Sequence, residues 1–168
     1  MVYSVAASLD GYIAGPRGES DWILMDPSLD WKAFMGRFDT VLLGRKTFEV
    51  AGGKSGGSMP GMSAYVFSTT LKSAEHPRLN IVAKDAAQFV SELKRQPGKE
   101  IWLMGGGGLF RSLLEAGVVD RIEVALIPIL LGEGLPLLPV MPRKTRLALF
   151  ESKALSNGTV MLHYDVHR

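Results

Sequence analysis

Apolar residues come in short blocks along this chain, and the blocks follow two rhythms. Mostly aliphatic or β-branched runs at 2–8, 12–14, 39–43, 64–67, 80–83, 101–104 and 122–129 are bounded by Gly, Pro, Asp, Asn or Ser, and predict strands. Between them Trp31, Phe34, Met35 and Phe38 recur at helical spacing, as do Leu109, Phe110, Leu113 and Leu114. Asp26-Pro27 reads as an N-cap followed by proline at the first helical position, starting a helix that runs to Phe38. Asp85 and Gln88 form a cap-to-N3 pair opening a helix over 86–95, and Pro97-Gly98 closes it. Gly117 ends the helix that follows the glycine run, since glycine adopts the left-handed C′ conformation without strain. The 122–129 run carries Pro128, which predicts an edge or bulged strand. Two last strands, 146–154 and 159–166, flank Asn157-Gly158, a strong hairpin signal. The order β-α-β-β-α-β-α followed by a hairpin predicts an α/β fold, its mostly parallel central sheet finished by a C-terminal antiparallel hairpin.

Composition narrows the class. A chain of 168 residues with 46% hydrophobic content can bury a sizeable core as one domain spanning 1–168. Its net charge of +2 comes from 19 basic and 17 acidic residues spread along the chain, so no basic tract points to nucleic acid or a membrane surface. Zero cysteines exclude disulfides, a cysteine nucleophile and thiolate-bound metal. His76, His163 and His167 lack a metal-ligand spacing, so no metal site is expected. The N-terminus has no signal-peptide pattern and no apolar run reaches the length of a bilayer span, which leads us to expect a cytoplasmic protein. A continuous apolar run, Ile127 to Leu131, on an expected edge strand makes a homodimer the expected assembly.

The chemistry concentrates where strands give way to helices. In Ile101-Trp102-Leu103-Met104-Gly105-Gly106-Gly107-Gly108-Leu109-Phe110, an apolar strand meets a bare backbone and then a helix start. Free N–H groups and the positive end of a helix dipole make such a point a good phosphate site; a tight turn or flexible spacer is the plainer alternative. Gly44-Arg45-Lys46-Thr47 repeats the theme with two cations and a hydroxyl. Cations oppose the dipole at a helix start, which makes sense beside a bound anion, or else as a solvated basic face. The loop Gly52-Gly53-Lys54-Ser55-Gly56-Gly57-Ser58 reads as flexible. Trp22, among short polar residues, serves either as a ligand wall or as core. Asp30, one turn before Phe34, is the carboxylate placed to point into a pocket and supply a proton, with Asp26 and Glu19 next in line.

Five motifs in order and rough spacing resemble the dihydrofolate reductase superfamily, and more closely the reductase half of the bifunctional riboflavin-biosynthesis deaminase-reductase. They are Ser8-Leu9-Asp10-Gly11, Gly18 to Ile23, Gly44-Arg45-Lys46-Thr47, Met104-Gly105-Gly106-Gly107 and Ile127 to Gly132. The resemblance implies a dihydrofolate reductase-like three-layer fold and NADPH as cofactor. It implies nicotinamide near Ala6, Ala7 and the Trp22 loop, and pyrophosphate at the helix starts after Gly44 and Gly105. The 2′-phosphate is implied near Arg45, Ser68 and Thr69, with Lys46, Thr47, Met104 and Gly105 to Phe110 completing the cofactor site. Trp22 and Phe34 are the implied substrate contacts. Gly105 stands where the riboflavin-pathway reductases are expected to carry an acidic residue. The implied function is hydride transfer from NADPH to a small heteroaromatic, pterin-like or carbonyl/imine substrate, with a nucleotide-binding protein without turnover as the alternative.

Overall fold

The structure, a computed structural model, describes residues 1–51, 61–77 and 79–167. The expected glycine-rich loop 52–58 lies outside them. Ten strands and four helices follow in the order β1 Val2–Ser8, β2 Tyr12–Ala14, α1 Trp31–Gly36, β3 Phe38–Gly44, α2 Arg45–Val50, β4 Ser63–Phe67, β5 Asn80–Val82 and α3 Ala86–Leu93 among the described residues. The rest are β6 Glu100–Gly105, α4 Gly107–Glu115, β7 Arg121–Ile127, β8 Leu135–Pro136, β9 Leu147–Ala154 and β10 Val160–Val166.

Eight strands make one sheet in the order β5-β4-β3-β6-β1-β7-β10-β9. Pairing is parallel from β5 through β7 and antiparallel for β7 with β10 and β10 with β9. This is the expected mostly parallel sheet closed by a C-terminal antiparallel pair. Gly158, at φ +84°, sits in the turn before β10. Strand alternation gives the sheet two apolar faces. On one, Tyr3, Leu42, Leu103 and Ile122 pack with Val90 of α3 and Phe110, Leu113 and Leu114 of α4. On the other, Val2, Val41, Leu43 and Trp102 pack with Phe38 and Phe48, with Phe34 and Met35 of α1 against them.

Three expectations are corrected. The 26–38 helix shrinks to Trp31–Gly36, because the Asp26 side chain accepts from Ser28 N and turns the chain before the helix begins, while Phe38 opens β3. Asp85 precedes α3 in the left-handed region (φ +50°) with no side-chain cap bond, and Gln88 instead donates to Glu92 Oε1. The expected edge strand at 122–129 is an interior one: β7 is paired on both sides, by β1 and β10, and Pro128 falls just past its last residue. The edge-strand ground for a homodimer through Ile127 to Leu131 therefore falls away.

Candidate active site

Parallel strands end on one side of the sheet, and there the chain must turn into helices or loops. A cleft of about 1170 Å³ opens along those carboxyl ends, larger than the ~300–1,000 Å³ typical of a single small-ligand pocket. Ligands in open α/β sheets characteristically lie at this position.

One end of the cleft lies over β3 to β6. Gly44 is in register with Phe67, so Arg45 and Ser68 leave the sheet on adjacent strands. Ser68 N donates to Val82 O, which brings the segment after β5 alongside and adds Lys84 to the wall. Three cations, Arg45, Lys46 and Lys84, thus line this end with the hydroxyls of Thr47, Ser68 and Thr69. Arg45 also pairs with Glu49 one turn on, at 2.7 Å. The Ser68 hydroxyl accepts from Thr70 N and Leu71 N, a local turn that fixes the segment. Met104, Gly105 to Gly108 and Leu109 complete the wall.

The glycines here answer distinct steric demands. Gly105, the last residue of β6, has φ +147°, which L side chains rarely adopt, and its peptide bond to Gly106 is cis. A Cβ on Gly106 would come 3.1 Å from Thr47 Oγ1, and one on Gly44 would meet Gly106 N at 3.4 Å. Without those atoms the backbone of two strand ends lies bare beside three cations. Such a cradle fits the phosphates of a dinucleotide, with the N-terminal turn of α4 facing it.

The other end lies over β1, β7 and β10. Ala125 is in register with Ala6 on one side and Met161 on the other, and all three line the cleft. Trp31 and Phe34 of α1 and Trp102 of β6 close the far wall, with Phe34 set edge-on to both indoles at centroid distances of 5.2 and 5.3 Å. Trp102 Nε1 donates to Ser4 O at 3.0 Å, which satisfies the buried indole.

Asp26 stands at this end and is only 4% exposed. Its Oδ1 accepts from the Ser28 amide and hydroxyl, and its Oδ2 from Ser156 Oγ at 2.8 Å and Asn157 N at 2.9 Å. The Ser28 hydroxyl first, then the Ser28 amide, Ser156 and Asn157, hold its pKa far below the usual carboxylate range. It is a fixed anion and no proton donor at neutral pH. One side chain thereby ties the loop before α1 to the β9–β10 turn. The Thr159 hydroxyl, on the same wall, is buried without a hydrogen-bond partner among the described residues.

Of the residues singled out in sequence, Ala6, Phe34, Gly44 to Thr47, Ser68, Thr69, Met104 and Gly105 to Leu109 line the cleft. Four do not. Ala7 points to the opposite face from Ala6, as strand alternation requires, and is buried there at 1% exposure. Phe110 lies in the core, stacked on Tyr3 at 3.7 Å. Trp22 is half-buried in its own loop, its indole donating to Glu19 O. Asp30 is exposed, and its carboxylate accepts from Ala33 N at 2.8 Å as the N-cap of α1. Lys84, Trp31, Trp102 and Thr159 were missed in these roles. Lys84 had a legible signal, since it follows a strand whose carboxyl end opens on the crevice.

A mostly parallel sheet with an antiparallel C-terminal pair, flanked by helices and cleft across its carboxyl ends, is the dihydrofolate reductase-like fold. A solved example is dihydrofolate reductase from Enterococcus faecalis complexed with NADP(H), 20% identical with a TM-score of 0.69, covering 100% of this chain and 97% of that one. The chain belongs to the RibD C-terminal domain family, whose profile matches residues 1–161, and that family is one of reductase domains. An uncharacterized Bacillus subtilis protein, YyaP, is 31% identical over 176 aligned positions, covering 98% of this chain and 93% of that protein. A crystal structure from Shewanella sp. PV-4, provisionally named a riboflavin biosynthesis protein, is 23% identical with a TM-score of 0.83 and covers 99% of this chain and 98% of its own. Among the described residues no helix is long and apolar enough to cross a membrane.

Proposed function

We propose that this protein is a cytoplasmic NADPH-dependent reductase that passes a hydride to a small heteroaromatic, pterin-like or carbonyl/imine acceptor. The carrying observation is the division of one cleft into a cationic end with bare glycine backbone and an aromatic, apolar end. The dinucleotide, when bound, supplies the hydride. Gly44 and Gly105 to Gly108 hold its pyrophosphate close to the backbone, and Arg45, Ser68, Thr69 and Lys84 receive the 2′-phosphate. Trp31, Phe34, Trp102 and Met161 hold the acceptor and exclude water. Asp26 does not carry the proton, because its hydrogen bonds keep it ionised. With Asp26 held ionised and Asp30 committed as the N-cap of α1, water supplies the proton that accompanies the hydride.

The test is cofactor preference. A charge-assisted hydrogen bond contributes about 1.5–3 kcal/mol, so NADPH should bind roughly ten- to hundred-fold more tightly than NADH. Arg45→Ala should remove most of that preference without unfolding the protein, since the pair Arg45 makes among the described residues, with Glu49, is an exposed one. Equal titration of both cofactors by the unaltered protein defeats the assignment. A homodimer is part of the same reading, now seated on β9, where Leu147, Leu149 and Phe150 are exposed at the sheet's end. Sedimentation over a range of protein concentrations checks it, and a monomer throughout would remove that part of the proposal.

A further inference from the structure

The aromatic end of the cleft has a composition that selects among acceptors. Its walls come from Trp31, Phe34, Trp102, Leu155 and Met161, whereas the three cations that line the cleft among the described residues follow β3 and β5, Arg45 and Lys46 at the start of α2 and Lys84 just past β5. The ionised group here is Asp26, whose oxygens are committed to Ser28, Ser156 and Asn157. An anionic ligand placed there would give up hydration, meet no cation among the described residues of these walls, and stand beside a fixed negative charge. A flat apolar ligand would meet ring edges and thioether surface, which favour it. Thr159 adds one polar demand, a buried hydroxyl with no partner, which a rotamer change can turn toward a ligand carbonyl.

We propose that this end of the cleft is built for an uncharged, planar, carbonyl-bearing acceptor of the quinone class, and that it discriminates against phosphorylated or otherwise anionic acceptors. Asp26 sets the charge selection, and Thr159 supplies the hydrogen bond to the carbonyl. The inference rests on the reductase reading for its chemistry: reducing a quinone to a hydroquinone consumes one hydride, from the dinucleotide, and one proton, from water. The binding preference itself requires no turnover. A phosphoribosyl-bearing pyrimidine, by contrast, would place its phosphate in a cleft end whose described residues offer it no countercharge.

The experiment pairs two probes of the same shape, naphthoquinone and naphthoquinone sulfonate, and measures their binding by calorimetry to the full chain without any nucleotide. Neutral naphthoquinone should bind at least tenfold more tightly than the sulfonate, and Asp26→Asn should narrow that gap. Thr159→Val keeps the shape and removes the hydroxyl. Binding of naphthoquinone should weaken by about two- to tenfold, the range of one neutral hydrogen bond, while the melting temperature holds or rises because an orphaned buried group is gone. A purely structural Thr159 would move the melting temperature alone. Sulfonate binding as tight as the neutral probe, a phosphoribosylaminopyrimidine binding more tightly than either, or no binding of any probe each overturns the proposal. The probe pair decides the matter even where Asp26→Asn fails to fold. NADPH titrations run beside it separate the two ideas: quinone selectivity without NADPH binding overturns the reductase reading alone, and NADPH binding without quinone selectivity overturns only this one.

Discussion

Among the glycines of the cleft, Gly108 gives the cleanest probe of the dinucleotide site. It lies in the first turn of α4, and a Cβ built there meets nothing within 4 Å. Gly108→Ala should therefore leave stability unchanged or raise it, by at most about 0.5–1 kcal/mol from improved helix propensity. If the pyrophosphate lies over this turn, the added methyl meets the ligand and NADPH affinity drops tenfold or more. Thermal melting and NADPH titration of the same preparation read both quantities, and unchanged affinity would move the pyrophosphate elsewhere. Gly106→Val cannot separate the effects, since its Cβ already crowds Thr47 Oγ1 at 3.1 Å. Residue types mark where bare backbone and cations meet, but not which way side chains face. Ala6 and Ala7 are equivalent as letters, and strand parity sends one to the cleft and the other to the core. Phe110 follows the glycines directly, yet the α4 face it shares with Leu113 and Leu114 turns it onto Tyr3.

At the scale of elements, the parts fixed by local chemistry were legible and the parts fixed by distant partners were not. Runs such as 41–43, within the strand expected at 39–43, and 101–104 are apolar on both sides, which suits strands buried between helix layers, and both strands form as expected. Asn157-Gly158 places the last turn, and Gly117 at φ +69° follows α4. The helix expected from Asp26 starts late because one carboxylate oxygen turns the chain through Ser28 while the other is held by Ser156 and Asn157, 130 and 131 residues away, and that second hold lies in no local window. The same miss hid the site: Asp30 was left to cap a six-residue helix. Pro128 misled in another way. It marks where β7 stops, and the seven paired residues before it run through the middle of the sheet.

Across the whole molecule, two carboxylates act as latches on the cleft, and both bear on acid stability. Asp10, at the turn after β1, accepts from Ser8 Oγ, Leu131 N and Gly132 N, so it ties the loop after β7 to the end of β1. Asp26 ties the loop before α1 to the turn before β10. The Ser8 hydroxyl, with the Gly132 and Leu131 amides, lowers the pKa of Asp10, and Ser28, Ser156 and Asn157 lower that of Asp26. A depressed pKa in the folded state means that the unfolded chain takes up protons first. The stabilisation is therefore complete above the unfolded value of about pH 4 and is lost as pH falls through the folded values below it. Urea unfolding should give a midpoint that is flat from neutral pH down to about pH 5 and that falls steeply below about pH 4. Removing the charges should change the shape of that curve as well as its height. A protein carrying Asp10→Asn and Asp26→Asn should be less stable at neutral pH, lose less of its stability on acidification, and exchange its Leu131, Gly132 and Asn157 amides faster. If the substituted protein keeps the same acid slope and the same amide protection, the two side chains are bystanders, and the cleft is held by the sheet alone.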